Sequence, residues 1–324
     1  MADQIPFRPV RTLTVPDAQL LRELDPLPEG ITAAVWDLAG EPDGVDAADV
    51  DAVVLPYAPA GNWGPALARA PRLQLVQTQT TGYDGVPELI GPQTAVATAA
   101  GVHAAATAEL AVGLMIASLR GIPEAVRSQE RQAWEPARWP GLADRRVLLL
   151  GVGGIGREIA ARLKPFDVEL TRVGSRARTD KDGQVHGPAE LTALARTAEV
   201  LVIITPLNPD TRHLVDAEVL AALPDGALVV NVARGPVVDT AALTREVVSG
   251  RLRAALDVVD PEPLPSGHPL WSAPNALITP HNGGNSGAFP PRIAALLRRQ
   301  AARLAAGREP ENLVIPGPWA RGGR

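Results

Sequence analysis

The sequence predicts an α/β protein made of two domains, each a parallel sheet with crossover helices. Three observations carry that expectation. Strand-like and helix-like runs alternate from the start, the alternation restarts after residue 151, and a glycine turn stands at the restart between an apolar run and a helical stretch. In the first set, residues 12–15, 31–36, 50–55 and 73–77 read as strands, with 17–24 and 63–70 as helical stretches between them. Residues 110–119 form an apolar helical run bounded by Glu109 and Arg120, well short of the roughly 20 residues that span a bilayer, and read as a buried helix. In the second set the strands are 147–150, 168–173, 200–204, 228–232, 254–258 and 276–278, with helices between most of them. Residues 291–306 carry Ala, Leu and Arg at helical spacing after the last of these strands, so this helix is free to return to the first domain.

Length and composition narrow the class. A chain of 324 residues is long enough for two cores, and 46% hydrophobic with 21% charged residues is ordinary globular composition. A net charge of −5 without clustered Lys or Arg argues against nucleic acid as a main partner. The absence of cysteine excludes disulfides, thiolate metal sites and a cysteine nucleophile, and no metal site is expected. Met1-Ala2-Asp3-Gln4-Ile5-Pro6 has an acid where a signal peptide has a basic region, so a cytoplasmic protein without a membrane partner is expected. The tail 320–324 is expected to be mobile.

Gly151-Val152-Gly153-Gly154-Ile155-Gly156 follows the apolar run 147–150 and opens the helical stretch 157–164. Gly151 suits a tight turn, Gly153 lets the backbone approach a ligand, and Gly156 lets the helix pack close to the strand. The helix N-terminus then offers unpaired N–H groups and a positive dipole end to the pyrophosphate of a dinucleotide. The motif lies mid-chain, so another element of the architecture precedes it.

Three polar residues each follow a buried-looking strand of the second set, at the end where open α/β sheets place their ligands. Arg234 follows 229–233, Glu262 follows 256–261, and His281 follows 277–280. An imidazole beside a carboxylate is a general acid/base near neutral pH, and a guanidinium can grip a carboxylate through paired hydrogen bonds while polarising a carbonyl.

These segments together carry a resemblance. The runs 147–155, 231–239 (Asn-Val-Ala-Arg-Gly-Pro-Val-Val-Asp), 255–264 (Ala-Leu-Asp-Val-Val-Asp-Pro-Glu-Pro-Leu) and 278–283 (Ile-Thr-Pro-His-Asn-Gly) closely resemble the D-isomer-specific 2-hydroxyacid dehydrogenase family. The similarity extends to Thr81-Gly82-Tyr83-Asp84, 100–110 and 205–211, and covers about residues 72–285. It implies two Rossmann-like doubly wound parallel-sheet domains, with the nucleotide-binding domain inserted in the substrate domain. The expected boundaries are 1–98 and 286–324 for the substrate-binding domain and 99–285 for the nucleotide-binding domain. The helices near 110 and 291 are the expected crossings, and a cleft between the domains could close over cofactor and substrate.

By the same resemblance, Arg234 binds the substrate's carboxylate and carbonyl, Glu262 pairs with His281, and His281 donates the proton in carbonyl reduction. The backbone around Thr81 and Gly82 captures the substrate carboxylate. Cofactor contacts are expected from Gly151, Gly153, Gly154, Ile155 and Gly156, and also from Thr107, Thr205, Val232, Ala233, Asp257, Gly283 and Gly284. A homodimer is implied. Where many relatives have Asn-Thr-Pro, this chain has Thr98-Ala99-Ala100, which alters a contact near the nicotinamide or the domain junction. His103 is unusual at its position and is expected to pack or to bond locally. His186, His213 and His268 show no acid/base partner in the sequence and are expected to be solvated or structural.

Cofactor choice is read at the end of the second strand, where an NAD enzyme places an acid for the ribose 2′-hydroxyl. Here Glu169 stands too early and Gly174-Ser175-Arg176-Ala177-Arg178 occupies the strand's end. Ser175, Arg176 and Arg178 can bond a 2′-phosphate, so NADPH is the preferred expectation, with NAD possible. The substrate is expected to be a small 2-oxo acid, with glyoxylate and hydroxypyruvate favoured. Formate dehydrogenases carry Gln where Glu262 stands, and phosphite dehydrogenases use a lysine that 77–85 lacks. A dinucleotide-sensing, corepressor-like binding protein on the same fold is the alternative to an enzyme.

Overall fold

A computed structural model describes residues 8–57 and 62–321. Residues 1–6, read for a signal peptide, and the end of the tail lie outside the described residues. The strands are β1 (Thr12–Val15), β2 (Thr32–Val35), β3 (Ala52–Val54), β4 (Leu75–Gln77), β5 (Ala95–Ala97), β6 (Arg146–Leu150), β7 (Glu169–Val173), β8 (Arg178–Asp180), β9 (Gly183–Val185), β10 (Val200–Ile203), β11 (Leu228–Asn231), β12 (Arg253–Leu256), β13 (Ala276–Ile278) and β14 (Leu313–Ile315). The α-helices are α1 (Ala18–Glu23), α2 (Gly64–Leu67), α3 (Ala104–Leu119), α4 (Ile122–Glu130), α5 (Gly154–Leu163), α6 (Leu191–Ala195), α7 (Ala217–Ala222), α8 (Thr240–Val248) and α9 (Phe289–Ala305). The chain divides into two compact units, residues 1–103 with 287–324, and residues 104–286. The first junction therefore lies at the start of α3, beyond the expected 98/99, because Ala99, Val102 and His103 still pack with the first unit.

The first unit holds a sheet ordered β14-β5-β4-β3-β1-β2. Every pair is parallel except β14 with β5, so the sheet is mixed at one edge, where an all-parallel sheet was expected. Alternating side chains serve opposite faces. Leu13, Val15, Ala52, Val54 and Leu75 pack with Ile293, Leu296, Leu297 and Leu304 of α9, while Val53, Val76 and Val96 face Trp36 and Leu67. The helix read at 291–306 thus belongs to the first unit and turns its apolar face to that unit's core.

The second unit's sheet runs β13-β12-β11-β10-β6-β7, all parallel. β10 and β11 are buried at every position, which explains their unbroken apolar sequence. Leu148, Leu150, Leu201, Ile203 and Val229 enter one core, and Val147, Leu149, Val200, Val202, Leu228 and Val230 enter the other. Ala108, Ala111, Val112 and Met115 of α3 pack with Ile159 and Leu163 of α5 in that second core. Among the described residues no single helix is long and apolar enough to cross a membrane. The chain passes from β6 through α5 to β7 on one side, then returns to β10 on the other. This reversal puts the topological switch point at the carboxyl end of β6, where a doubly wound sheet opens a crevice.

Candidate active site

The glycine turn occupies that switch point. Gly151 takes φ 115°, and a Cβ there would stand 2.6 Å from the carbonyl oxygen of Ile204. A Cβ on Gly156 would stand 2.0 Å from the Gly151 oxygen, so only glycine lets α5 start this close to β6. Gly153 and Gly154 are the opposite case. Both are exposed, and a Cβ on either would meet nothing within 4 Å. Gly153 caps α5 without a side-chain bond, so the first-turn N–H groups face open space at the positive end of the helix dipole. A pyrophosphate fits this cradle.

At the end of β7 the chain turns into a feature absent from the sequence reading, the hairpin β8–β9. Just beyond its second strand the chain bridges to the sheet edge, with the His186 amide donating to Arg172 O at 2.8 Å and the Gly174 amide to His186 O at 3.0 Å. Arg172, buried, clasps Asp180 through Nη1–Oδ2 at 3.1 Å and Nη2–Oδ1 at 2.8 Å, which ties the hairpin to β7. Ser175, Arg176 and Arg178 are exposed. The Arg178 guanidinium folds back over the strand end, donating to Arg176 O at 3.4 Å and standing 3.2 Å from the place of a Cβ on Gly174. A cation therefore stands where an NAD-selective acid would be.

The polar residues come from three consecutive strand ends of this same edge. After β11, Asn231 shapes the turn: its Nδ2 donates to Arg234 O at 3.0 Å and its Oδ1 accepts from the Ala233 amide at 3.0 Å. Gly235 passes so close to the segment after β12 that a Cβ would stand 1.8 Å from Val259 O. Arg234, half-buried, directs Nη1 to Ala233 O at 2.7 Å. After β12, Glu262 Oε1 accepts from the Val259 amide at 3.2 Å. After β13, His281 adopts φ 52°, a left-handed conformation rare outside glycine, and its amide donates to Asp257 O at 2.8 Å.

That arrangement brings His281 Nδ1 to 2.8 Å from Glu262 Oε2. A carboxylate only accepts, so Nδ1 carries hydrogen and Nε2 is the atom left for exchange with a ligand. The hydrogen bond to Glu262 holds the imidazolium above its ordinary range. Burial and the Arg234 charge push against this, and the charges of Glu262 and Asp257 support it. Burial raises the Glu262 carboxyl, but the His281 bond and charge, the Val259 amide and Arg234 outweigh it and hold the group below its ordinary value. Arg234 thus acts electrostatically on both partners.

In the first unit, the segment after β4 carries Thr81 and Gly82. Thr78 Oγ1 donates to Thr80 O at 2.7 Å, Thr80 Oγ1 to Gly82 O at 2.6 Å, and the Ala99 amide to Thr80 O at 2.9 Å. Among the described residues no acceptor takes the amides of Thr81 or Gly82. Amides left over beside bonded carbonyls are an arrangement that can receive an anion.

Residues 112–283 match the profile described as D-isomer specific 2-hydroxyacid dehydrogenase, NAD binding domain. The chain belongs to the D-isomer specific 2-hydroxyacid dehydrogenase family. It is an NAD(P)-dependent 2-hydroxyacid dehydrogenase. This dehydrogenase is 34% identical over 256 residues to a glyoxylate reductase of Thermofilum pendens, with 76% of each chain covered. A D-isomer specific 2-hydroxyacid dehydrogenase from Xanthobacter autotrophicus, solved with NADPH and MES, superposes with a TM-score of 0.80 at 30% identity, covering 95% of this chain and 98% of that one. The NADPH-dependent glyoxylate/hydroxypyruvate reductase of Sinorhizobium meliloti, solved with NADP and malonate, gives 0.77 at 27% identity, covering 96% and 98%.

The remaining expected residues of the dehydrogenase lie beyond these strands, apart from Thr107 on α3. Thr205 follows β10, and Val232 and Ala233 are buried beyond β11. Asp257 is buried at 2% exposure, and its carboxylate organises the His281 segment. Oδ1 accepts from Thr279 Oγ1 at 2.6 Å and the Asn282 amide at 2.8 Å, and Oδ2 from the Gly283 amide at 2.8 Å. Buried Gly283 packs against Thr107 of α3, where a Cβ would come within 3.2 Å of the Thr107 methyl, and Gly284 is half-buried beside it. His186 departs from the sequence reading. It has a carboxylate partner, Glu190, at 2.8 Å from Nδ1, and the i, i+4 spacing of the two was the available signal. His268 caps a short 3-10 helix through Nδ1, and the amide of His213 donates to Pro236 O at 2.8 Å.

Proposed function

We propose that this dehydrogenase reduces a small 2-oxo acid to the D-2-hydroxy acid with NADPH, and that glyoxylate and hydroxypyruvate are its favoured substrates. The observation that carries the reading is the His281–Glu262 pair within the field of Arg234, on the sheet edge that also holds the glycine turn. The names of the relatives support the substrate class, and Arg178 folded over Gly174 supports the 2′-phosphate.

A nicotinamide held at this site would supply the hydride for carbonyl reduction. Arg234 grips the substrate carboxylate and polarises the carbonyl with its planar fork. The negative charge that develops on the carbonyl oxygen is discharged by the proton on His281 Nε2. Glu262 keeps the Nδ1 hydrogen throughout, so the ring returns to a neutral tautomer with Nε2 bare and ready to be reprotonated from solvent. The amides of Thr81 and Gly82 bind the carboxylate independently of side-chain identity. Gly151 to Gly156 would hold the pyrophosphate, and Ser175, Arg176 and Arg178 would bond the 2′-phosphate.

The test is NADPH oxidation against a panel of 2-oxo acids, with the hydroxypyruvate product resolved on a chiral column. Turnover of glyoxylate and hydroxypyruvate, with D-glycerate as the product of the latter, is expected. No turnover with any 2-oxo acid, alongside measurable dinucleotide binding, would replace the enzyme by a sensing protein. A homodimer in the cytoplasm belongs to the same proposal, with light scattering and cell fractionation as its tests.

A further inference from the structure

His103 is buried at 6% exposure, the last residue of the first unit, and none of the steps above uses it. Its Nε2 lies 2.7 Å from the carbonyl oxygen of Gln79. A carbonyl only accepts, so Nε2 carries the hydrogen. The ring is stacked with two others from separate segments. Phe289 lies 5.0 Å away between centroids with planes inclined at 13°, and Tyr57 lies 5.7 Å away at 22°. Tyr57 and Phe289 stack on each other at 4.4 Å, which closes the cluster. Gln79 is held on its other side, its side-chain Nε2 donating to Leu55 O at 3.0 Å.

We propose that His103 is a positioning residue for the substrate carboxylate, fixing through the Gln79 carbonyl the first of the peptide planes that lead to the amides of Thr81 and Gly82. The proposal rests on Thr81 and Gly82 binding that carboxylate. In a planar trans peptide the carbonyl of one residue and the N–H of the next point in opposite directions. His103 draws the Gln79 carbonyl inward and thereby turns the Thr80 amide the other way. The next plane is fixed in the same sense, because Thr80 O accepts from Thr78 Oγ1 and the Ala99 amide, which directs the Thr81 amide. A phenylalanine could fill the stack and an amide could supply the donor. The imidazole does both.

Kinetics, calorimetry and nitrogen-15 spectra test it. His103→Phe keeps the ring and removes the donor, and its KM for the 2-oxo acid is expected to rise about tenfold, as leaving one buried carbonyl unbonded implies. Its NADPH affinity should stay within about twofold, because the ligand hydrogen bonds in question are not made to the dinucleotide. His103→Gln, which keeps a donor, should recover part of the loss. Binding of oxalate, which is not reduced, is measured by calorimetry and should weaken in parallel with KM. An unchanged KM and oxalate affinity in a folded His103→Phe protein overturns the proposal. In the unaltered protein, nitrogen-15 spectra should show His103 as the Nε2–H tautomer, with a signal that moves on oxalate binding. The other tautomer, or an unmoved signal, overturns it even where no variant folds. A wild-type protein that binds oxalate but reduces no 2-oxo acid would instead sink the enzymatic reading and leave this one standing.

Discussion

His281 Nδ1 sits 2.8 Å from Glu262 Oε2 while the His281 backbone, at φ 52°, is bonded to Asp257. The ring is therefore aimed from two directions, by a carboxylate at its side chain and by a buried aspartate beneath its main chain. Asp257 holds the amides of Asn282 and Gly283 as well, so the unusual backbone conformation is over-determined by its surroundings. An acid/base group benefits from such pre-organisation, since its proton must meet the substrate in one geometry.

The pair has a defined pH window. His281 is held above its ordinary pKa, so its contribution to stability is complete below that ordinary value and is lost as pH rises through the raised one. Glu262 is held below its ordinary pKa, so its contribution is complete above that value and is lost as pH falls through the lowered one. Glu262→Gln should lower the His281 pKa and shift the pH profile of hydroxy-acid oxidation on its acidic side. Proton NMR of the five histidines reads the titration directly. An unmoved His281 titration would mean the two side chains do not pair in solution.

His281→Asn should reduce carbonyl reduction by at least about 100-fold, the low end for general acid catalysis. Dinucleotide affinity, measured by fluorescence titration, should stay nearly intact. Turnover retained in this variant would assign the proton to another group.

Arg234→Lys should lower kcat/KM for 2-oxo acids by at least about tenfold, since an ammonium cannot reproduce paired bonds to carboxylate and carbonyl. Steady-state kinetics decide it. A normal specificity constant would remove Arg234 from the substrate site.

Gly235→Ala would push a methyl into the Val259 carbonyl, which stands 1.8 Å from the ideal Cβ position. The turn that carries Arg234 must then move, at a cost of about 1–3 kcal/mol in chemical denaturation. Activity should fall further than stability alone explains. A variant as stable and active as the parent would show that the two segments are not packed this closely.

Replacing Arg176 and Arg178 with neutral residues should weaken NADPH and leave NADH little changed, the contacts being charge-assisted but solvent-screened. Ser175→Asp should then reverse the preference, by repelling the phosphate and accepting from the ribose hydroxyls. Gly174 is the poorer site for that acid, because a Cβ there would stand 3.0 Å from both Val152 and Val185 side chains. A clear NADH preference in the unmodified protein would leave the arginines as ordinary surface charge.

Much of the architecture was legible because its cause is local. The unbroken apolar runs of β10 and β11 announce strands covered on both faces, and the glycines at 151 and 156 stand where any Cβ would strike the backbone. The hairpin β8–β9 and the strands β5 and β14 were not legible. All are short; β8 and β9 are mostly polar, and β14 finds its partner β5 far away in sequence.

The site divides in the same way. Sequence alone determined which residues end the strands of the second sheet, since motif, spacing and hydrophobic pattern are properties of the chain itself. Only the tertiary structure decided which of them meet. The bond from Glu262 to His281, the service of Asp257 to the 279–283 segment, the clasp of Arg172 on Asp180 and the placing of His103 against Gln79 all join residues on different elements. A hydrogen bond has a range of about 3 Å and a direction, and neither exists until the backbone has brought its two ends together.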